Sequence, residues 1–245
     1  MGGFRPVYYG YRLIWKGLDL LFPPVCGGCG SLGSRWCINC QSRVPGLQPP
    51  LCEACGVPLL RAGFCPDCRR ARPRFRALRS WSAFDAPVRD ALHRLKYRRD
   101  VGLGDALAAE LAGFVLDLHW PVDMIVPIPL GRQRRNERGY NQVALIAYPL
   151  ALAIGLAYAP AVLARGRDTK SQVGLSREER RDNVRGAFRA DEHLVRGRVV
   201  LLVDDVATTG STLSSGAEAL YASGALDVFC LTVSRALTHH GLGAA

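Results

Sequence analysis

Val199-Val-Leu-Leu-Val-Asp-Asp-Val-Ala-Thr-Thr-Gly-Ser-Thr-Leu213 is the stretch that decides how this chain is read. It opens on an unbroken apolar run, Val199 to Val203, mostly β-branched. Such a run suits a strand buried on both faces of a parallel sheet. Asp204 and Asp205 follow where that strand is expected to end. Val206 and Ala207 then lead into Thr208, Thr209, Gly210, Ser211 and Thr212, small residues whose backbone can wrap closely around an anion. From Leu213 the apolar spacing turns helical, with Leu213, Ala217, Leu220 and Tyr221 at i, i+4, i+7 and i+8. A helix start presents unpaired N–H groups and a positive dipole end, which suits a phosphate. Gly210 permits backbone angles that a β-carbon would penalise. The two carboxylates would repel a phosphate, so their natural partners are neighbouring sugar hydroxyls. The unit reads as a pocket for a phosphorylated sugar. It is not a Walker loop, because Gly-Lys-Ser/Thr is missing.

The rest of the chain fits around that unit. Its 245 residues allow a domain of about 170 residues plus a smaller module. At 49% apolar it can bury a real core. The net charge of +11 is uneven: residues 1–75 hold ten Lys/Arg against three Asp/Glu, a balance of +7. A basic N-terminal third suits nucleic acid or another polyanion, while a solvated arginine-rich surface is the plainer reading. Val143 to Ala164 is uncharged and long enough for a bilayer, but alanine, Pro149, Gly155 and Pro160 make it buried core; no membrane span is expected. The N-terminus, with Arg5, Arg12 and Lys16 spread among aromatics, does not read as a secretory signal, and a cytoplasmic location is expected.

Eight of the nine cysteines form four Cys-x-x-Cys pairs: Cys26/Cys29, Cys37/Cys40, Cys52/Cys55 and Cys65/Cys68. Each pair can place two thiolates on one metal, and two pairs complete a tetrahedral four-cysteine site. Two structural Zn2+ ions are expected. Sequential pairing, first with second and third with fourth, is favoured; interleaved pairing is not excluded by spacing. Disulfides fit poorly with an intracellular chain. A segment of about 45 residues has too little core to fold alone, so metal supplies its stability. Cys230, the ninth, lies in an apolar strand and reads as core.

Residues 7–22 are amphipathic with helical spacing and are read as a docking helix over a hydrophobic groove, a membrane-surface helix being the alternative. Residues 69–76, Arg-Arg-Ala-Arg-Pro-Arg-Phe-Arg, form a basic linker. Beyond it a strand is expected at 78–84, a helix from Val88 and another to about Leu118. A strand is expected at Asp123–Ile128, and Ala161–Ala164 as a short one. Arg132, Arg135 and Arg138 then sit in a loop after the Asp123–Ile128 strand. In parallel sheets ligands gather there, and arginine suits a pyrophosphate. Pro149 should kink or split the helix that follows, at about 3 kcal/mol if forced straight. Residues 165–175 read as a mobile loop, with a helix capped by Ser176 after it. Asp227 to Val233 is the last expected strand.

The stretch from Val199 resembles the PRPP-binding motif of type I phosphoribosyltransferases. The chain as a whole is similar to the ComF family (ComFC/GntX-like), a zinc ribbon followed by a phosphoribosyltransferase domain. The likeness rests on the four cysteine pairs and on Val126-Pro-Ile-Pro129 with Arg135 and Arg138-Gly-Tyr-Asn-Gln142. It rests further on Thr169, Gln172 and Leu175 with Arg180 and Asn183, and on Asp204 to Thr212. It implies an α/β fold, a parallel sheet flanked by helices, with an N-terminal double zinc-ribbon segment. The implied units are a docking helix at 1–25, ribbons at 26–68, a linker at 69–77, the phosphoribosyltransferase domain at 78–237 and a tail at 238–245. Asp204 and Asp205 would hold the ribose hydroxyls, Val206 to Thr212 the 5-phosphate, and Arg132, Arg135, Arg138, Gln172 and Arg180 the pyrophosphate side. Mg2+ is implied with PRPP, and the acceptor is an unidentified nucleobase-like group. The resemblance also implies a link to natural competence, single-stranded DNA, and competence helicase or recombination partners. Two other readings stay open: a PRPP sensor without turnover, and a DNA-binding accessory built on the ribbons and linker.

Overall fold

The computed structural model describes residues 4–166 and 186–237. Its centre is a five-stranded parallel sheet in the order β1-β7-β6-β2-β3. The strands are β1 (Ala77–Ala83), β2 (Met124–Pro127), β3 (Ala157–Tyr158), β6 (Val199–Ala207) and β7 (Asp227–Arg235). A separate antiparallel pair, β4 (Leu163–Arg165) and β5 (Phe188–Ala190), lies beside it. The apolar run of β6 is buried on both sides, as its composition demands. Val200 and Leu202 pack with Val228, Cys230 and Leu213 in one core. Leu201 and Val203 pack with Phe229, Leu231, Leu107 and Ile146 in the other.

Helices cover both faces. α4 (Val88–Tyr97), α5 (Leu103–Asp117) and α7 (Gln142–Ile154) supply Leu92, Leu107 and Ile146 to the core holding Leu201. The helix after β6, called α9 here (Ser211–Ala222), supplies Leu213, Ala217 and Leu220 to the core holding Leu202. Short helices complete the described chain: α2 (Ile38–Gln41), α3 (Pro66–Arg70), α6 (Arg132–Arg138) and α8 (Glu192–Val195). α1 (Phe4–Leu21) lies against α7, with Tyr11 edge-on to Tyr148 at 5.9 Å and Arg12 3.5 Å from Asp105. Val7, Ile14 and Leu21 remain exposed on its outer side. No helix among the described residues is long and apolar enough to cross a membrane.

Several expectations need correcting. β6 does not end at the acids but continues through both to Ala207. The loop expected at Arg132–Arg138 is the helix α6; it buries none of its residues, so no apolar periodicity announced it. α7 is not split at Pro149 but runs unbroken from Gln142 to Ile154. Proline has no N–H for the carbonyl four residues back, Leu145 O. That carbonyl faces Gly104 of α5 so closely that a β-carbon there would lie 2.5 Å from it. The strand expected at Ala161–Ala164 is β4, shifted to Leu163–Arg165. β3, β5 and α8 are too short to show a periodicity. The loop and helix expected from 165 through Ser176 fall largely, and Gln172, Arg180 and the tail wholly, outside the described residues.

Candidate functional site

The cysteine pairs combine sequentially. Cys26, Cys29, Cys37 and Cys40 form one cluster, and Cys52, Cys55, Cys65 and Cys68 the other, with the sulfurs of each within 4.8 Å of one another. The interleaved alternative is thereby excluded. Tetrahedral zinc at about 2.3 Å from each sulfur needs sulfurs just under 4 Å apart. The Cys29–Cys37 and Cys55–Cys65 sulfurs stand 3.6 Å apart. Backbone N–H groups of Cys37 and Cys65 point at the sulfurs of Cys26 and Cys52, at 3.5 and 3.3 Å. A β-carbon on Gly28 would sit 2.7 Å from Cys40 Sγ, so the first cradle closes only around glycine. Both clusters fit structural zinc. The second ribbon is pinned to the edge of the sheet, where Leu78 N of β1 donates to Ala54 O at 2.7 Å.

The second group of functional residues lies at the carboxyl ends of β2 and β6. Successive strand residues face opposite sides. Asp205 faces α4 and α7: Gln142 Nε2 donates to its Oδ2 at 2.7 Å, and Lys96 Nζ is 3.0 Å from the same oxygen. Arg138 Nη1 of α6 donates to Gln142 Oε1 at 2.8 Å, and its guanidinium stands 5.1 Å from the Tyr97 ring. Asn141 orients this corner by capping α7 through Val143 N and donating to Ile128 O, both at 3.0 Å. Asp204 lies outside this network, its Oδ1 accepting from Asp205 N at 2.9 Å.

The two acids therefore differ in charge state. Burial and the negative charge of Asp205 push Asp204 up to about 7, against the weaker pull of Lys96 and Arg165. Asp205 is also buried, but Lys96 and the hydrogen bond from Gln142 hold it below the usual carboxylate range. Near neutrality the pair shares roughly one negative charge strongly held on Asp205 and a second that comes and goes on Asp204.

Past Ala207 the chain turns through Thr208 and Thr209 to Gly210, whose φ of 76° is left-handed and caps α9. Helical geometry starts at Ser211, so Ser211 and Thr212 belong to the first turn rather than to the preceding loop. Thr209 Oγ1 accepts from Ser211 N at 3.3 Å and donates to Ser211 Oγ at 3.0 Å, which holds the turn open at the helix start. Arg132 and Arg135 follow each other along α6, both exposed, with Arg138 continuing the series toward Asp205. Thus Asp204 to Thr212 and Arg138 come to one edge. Lys96 is the contact that sequence reasoning did not place there. Its signal was faint: it is one of three lysines, with Lys16 and Lys170, in an arginine-rich chain.

A parallel sheet with paired acids and a small-residue turn at its rim, behind two four-cysteine modules, defines a phosphoribosyltransferase-type domain preceded by a double zinc ribbon. Family models agree: a double zinc ribbon domain matches residues 17–69 and a phosphoribosyl transferase domain residues 107–238. The chain belongs to the ComF family of phosphoribosyltransferase-domain proteins. It is 36% identical over 209 residues to the DNA utilization protein YhgH of Salmonella typhimurium, covering 81% of this chain and 91% of that one. It is 30% identical to competence protein F of Haemophilus influenzae, over 82% and 90% of the two chains. Competence protein ComFC of Bacillus subtilis is 27% identical over 86% and 84%.

Proposed function

We propose that the rim of the sheet binds PRPP and that the protein is a phosphoribosyltransferase-like member of its family working in DNA utilization. The observation that carries this reading is the left-handed Gly210 between the acid pair and the start of α9. It brings carboxylates and helix N–H groups within one short turn. Asp204 and Asp205 accept hydrogen bonds from the ribose hydroxyls; the described contacts of Asp205 fall on Oδ2, so Oδ1 is the oxygen assigned to the sugar. The N–H groups around Thr208 to Thr212 hold the 5-phosphate. Arg132, Arg135 and Arg138 face the pyrophosphate, with Gln172 and Arg180 assigned to the same side from the motif alone. Asp204, the acid outside the Lys96 network, is the carboxylate with the chemistry to take a hard cation. Held there with PRPP, Mg2+ would supply charge neutralisation on the pyrophosphate side. Calorimetry of PRPP with Mg2+ tests this on wild type and on Asp204→Asn/Asp205→Asn. Binding that the double variant abolishes supports it, and equal binding overturns it. Pyrophosphate release with candidate bases then separates transfer from sensing.

A second reading concerns nucleic acid, as the relatives' names suggest for those proteins. Arg70, Arg74 and Arg76 of the linker are exposed and form no ion pair among the described residues. Arg74 N donates to Ser214 Oγ at 2.9 Å, laying the linker along α9. A surface cleft of about 450 Å³ opens there between Arg74, Arg76, Glu218 and Tyr221. Arginines beside an aromatic ring suit a single strand, whose backbone is anionic and whose bases stack. Replacing Arg70, Arg74 and Arg76 by Gln should weaken oligonucleotide binding and flatten its salt dependence. An unchanged salt slope removes this reading.

A further inference from the structure

Arg235 ends β7 with only 2% of its surface exposed. Its Nη1 donates to Cys55 O at 2.7 Å, while Nε has no hydrogen-bond partner. No carboxylate stands within ion-pair distance of it among the described residues. A buried cation without a counter-charge is strongly destabilising. Its contact at Cys55 O sets the guanidinium against the module that gathers the sulfurs of Cys52, Cys55, Cys65 and Cys68. Four thiolates outweigh one zinc ion by two charges, so a metal-loaded second ribbon is anionic even though its cysteines are buried. Arg79 reaches the same module from β1, through Cys52 O at 3.4 Å and Glu53 O at 3.3 Å.

The position of Arg235 gives this pairing reach. Arg235 stands opposite Ala207 in the β6–β7 ladder, and Ala236 N donates to Ala207 O at 2.9 Å. Ala207 is where the Thr208–Gly210 turn departs. From the other direction, the chain leaving Cys68 buries Phe75, whose ring lies 3.6 Å from where a Gly210 β-carbon would sit. The second ribbon is thus linked to both flanks of the turn, through Arg235 on one side and the linker residue Phe75 on the other. The first ribbon rests elsewhere: Arg94 donates to Cys26 O at 2.9 Å, Gly27 meets Leu103, and Cys29 is exposed.

We propose that Arg235 is the buried counter-cation of the second zinc tetrathiolate, and that through it occupancy of this metal sets the geometry of the anion-binding turn. The link to ligand affinity rests on the PRPP reading above; the counter-cation role does not. The test uses the zinc-loaded full chain and a colorimetric zinc chelator in excess. Two release phases are expected, a fast one from the cluster with exposed Cys29 and a slow one from the buried cluster. Arg235→Met accelerates the slow phase by about tenfold or more and leaves the fast phase unchanged, whereas Arg235→Lys stays within about threefold of wild type. An unchanged slow phase in Arg235→Met, or equal acceleration in both variants, overturns the role. Wild type supplies a check that needs no variant to fold. Losing the fast zinc leaves PRPP affinity intact, and losing the slow zinc lowers it by about tenfold or more. Affinity that survives loss of both zincs overturns the coupling. If the loaded wild type binds no PRPP at all, the site reading fails while the release kinetics still decide the role of Arg235.

Discussion

Lys96 Nζ stands 3.0 Å from Asp205 Oδ2, and the two side chains are 18% and 8% exposed. The pair joins the end of α4 to the end of β6 beneath the proposed sugar site. Desolvation makes such a pair a poor source of net stability, but a costly one to break on one side only. Lys96→Met leaves Asp205 buried with Gln142 alone, and should destabilise the protein by roughly 3 kcal/mol or more in urea unfolding. Adding Asp205→Asn to that background should recover much of the loss, because the stranded charge is gone. Full additivity of the two losses would show that they do not act as a pair.

Asp204 should make stability depend on pH in a direction opposite to that of Asp205. Its folded value, raised to about 7, lies above the unfolded one, so the folded chain binds the extra proton between them. The stabilisation from that proton is present at low pH and is lost as pH rises toward 7. Asp205, held low by Lys96 and Gln142, instead contributes above its unfolded value and loses this only in strong acid. Asp204→Asn keeps the neutral form at every pH. It should raise the melting temperature by roughly 2–4 °C near pH 8 and change little near pH 5. Mg2+-dependent PRPP binding by wild type should strengthen across the same window as Asp204 ionises.

Gly104→Ala tests how α7 tolerates its proline. The added β-carbon would meet Leu145 O at 2.5 Å and the Leu145 side chain at 2.9 Å, both on the facing helix. Backbone cannot swing aside as a flexible side chain can, so α5 and α7 must separate. A loss of about 1–3 kcal/mol is expected in thermal or urea unfolding. Pro149→Ala restores a donor for Leu145 O within α7. If Gly104→Ala costs as much in that background as alone, the two positions are independent.

What the sequence made legible was local. The run Val199–Val203, the acids and the small residues up to Thr212 carry their chemistry in consecutive positions, and strand, turn and helix follow in that order. The cysteine pairs announced metal sites through their own spacing, but spacing within a pair says nothing about which pair it joins. That needed the three-dimensional clusters. Lys96 and Asp205 are far apart along the chain, and no periodicity connects them. The arginines of α6 bury nothing, so their helix lacked an apolar stripe. At Pro149 a sound local rule yielded to tertiary packing, because Gly104 of the neighbouring helix accommodates the carbonyl that proline leaves without its helical partner.

Gly210→Ala separates stability from binding at the turn. A β-carbon there would make only ordinary contact, 3.6 Å from the Phe75 ring and 3.8 Å from Leu78. The cost comes instead from the backbone, whose φ of 76° puts a β-carbon against its own carbonyl. A stability loss of about 1 kcal/mol is expected, smaller than for Gly104→Ala. To relieve the strain the turn must shift, and the N–H groups between Thr208 and Ser211 shift with it. PRPP affinity should therefore fall by about tenfold or more in calorimetry on protein that is still fully folded. If Gly210→Ala binds PRPP as wild type does, the turn is a structural cap and the phosphate lies elsewhere.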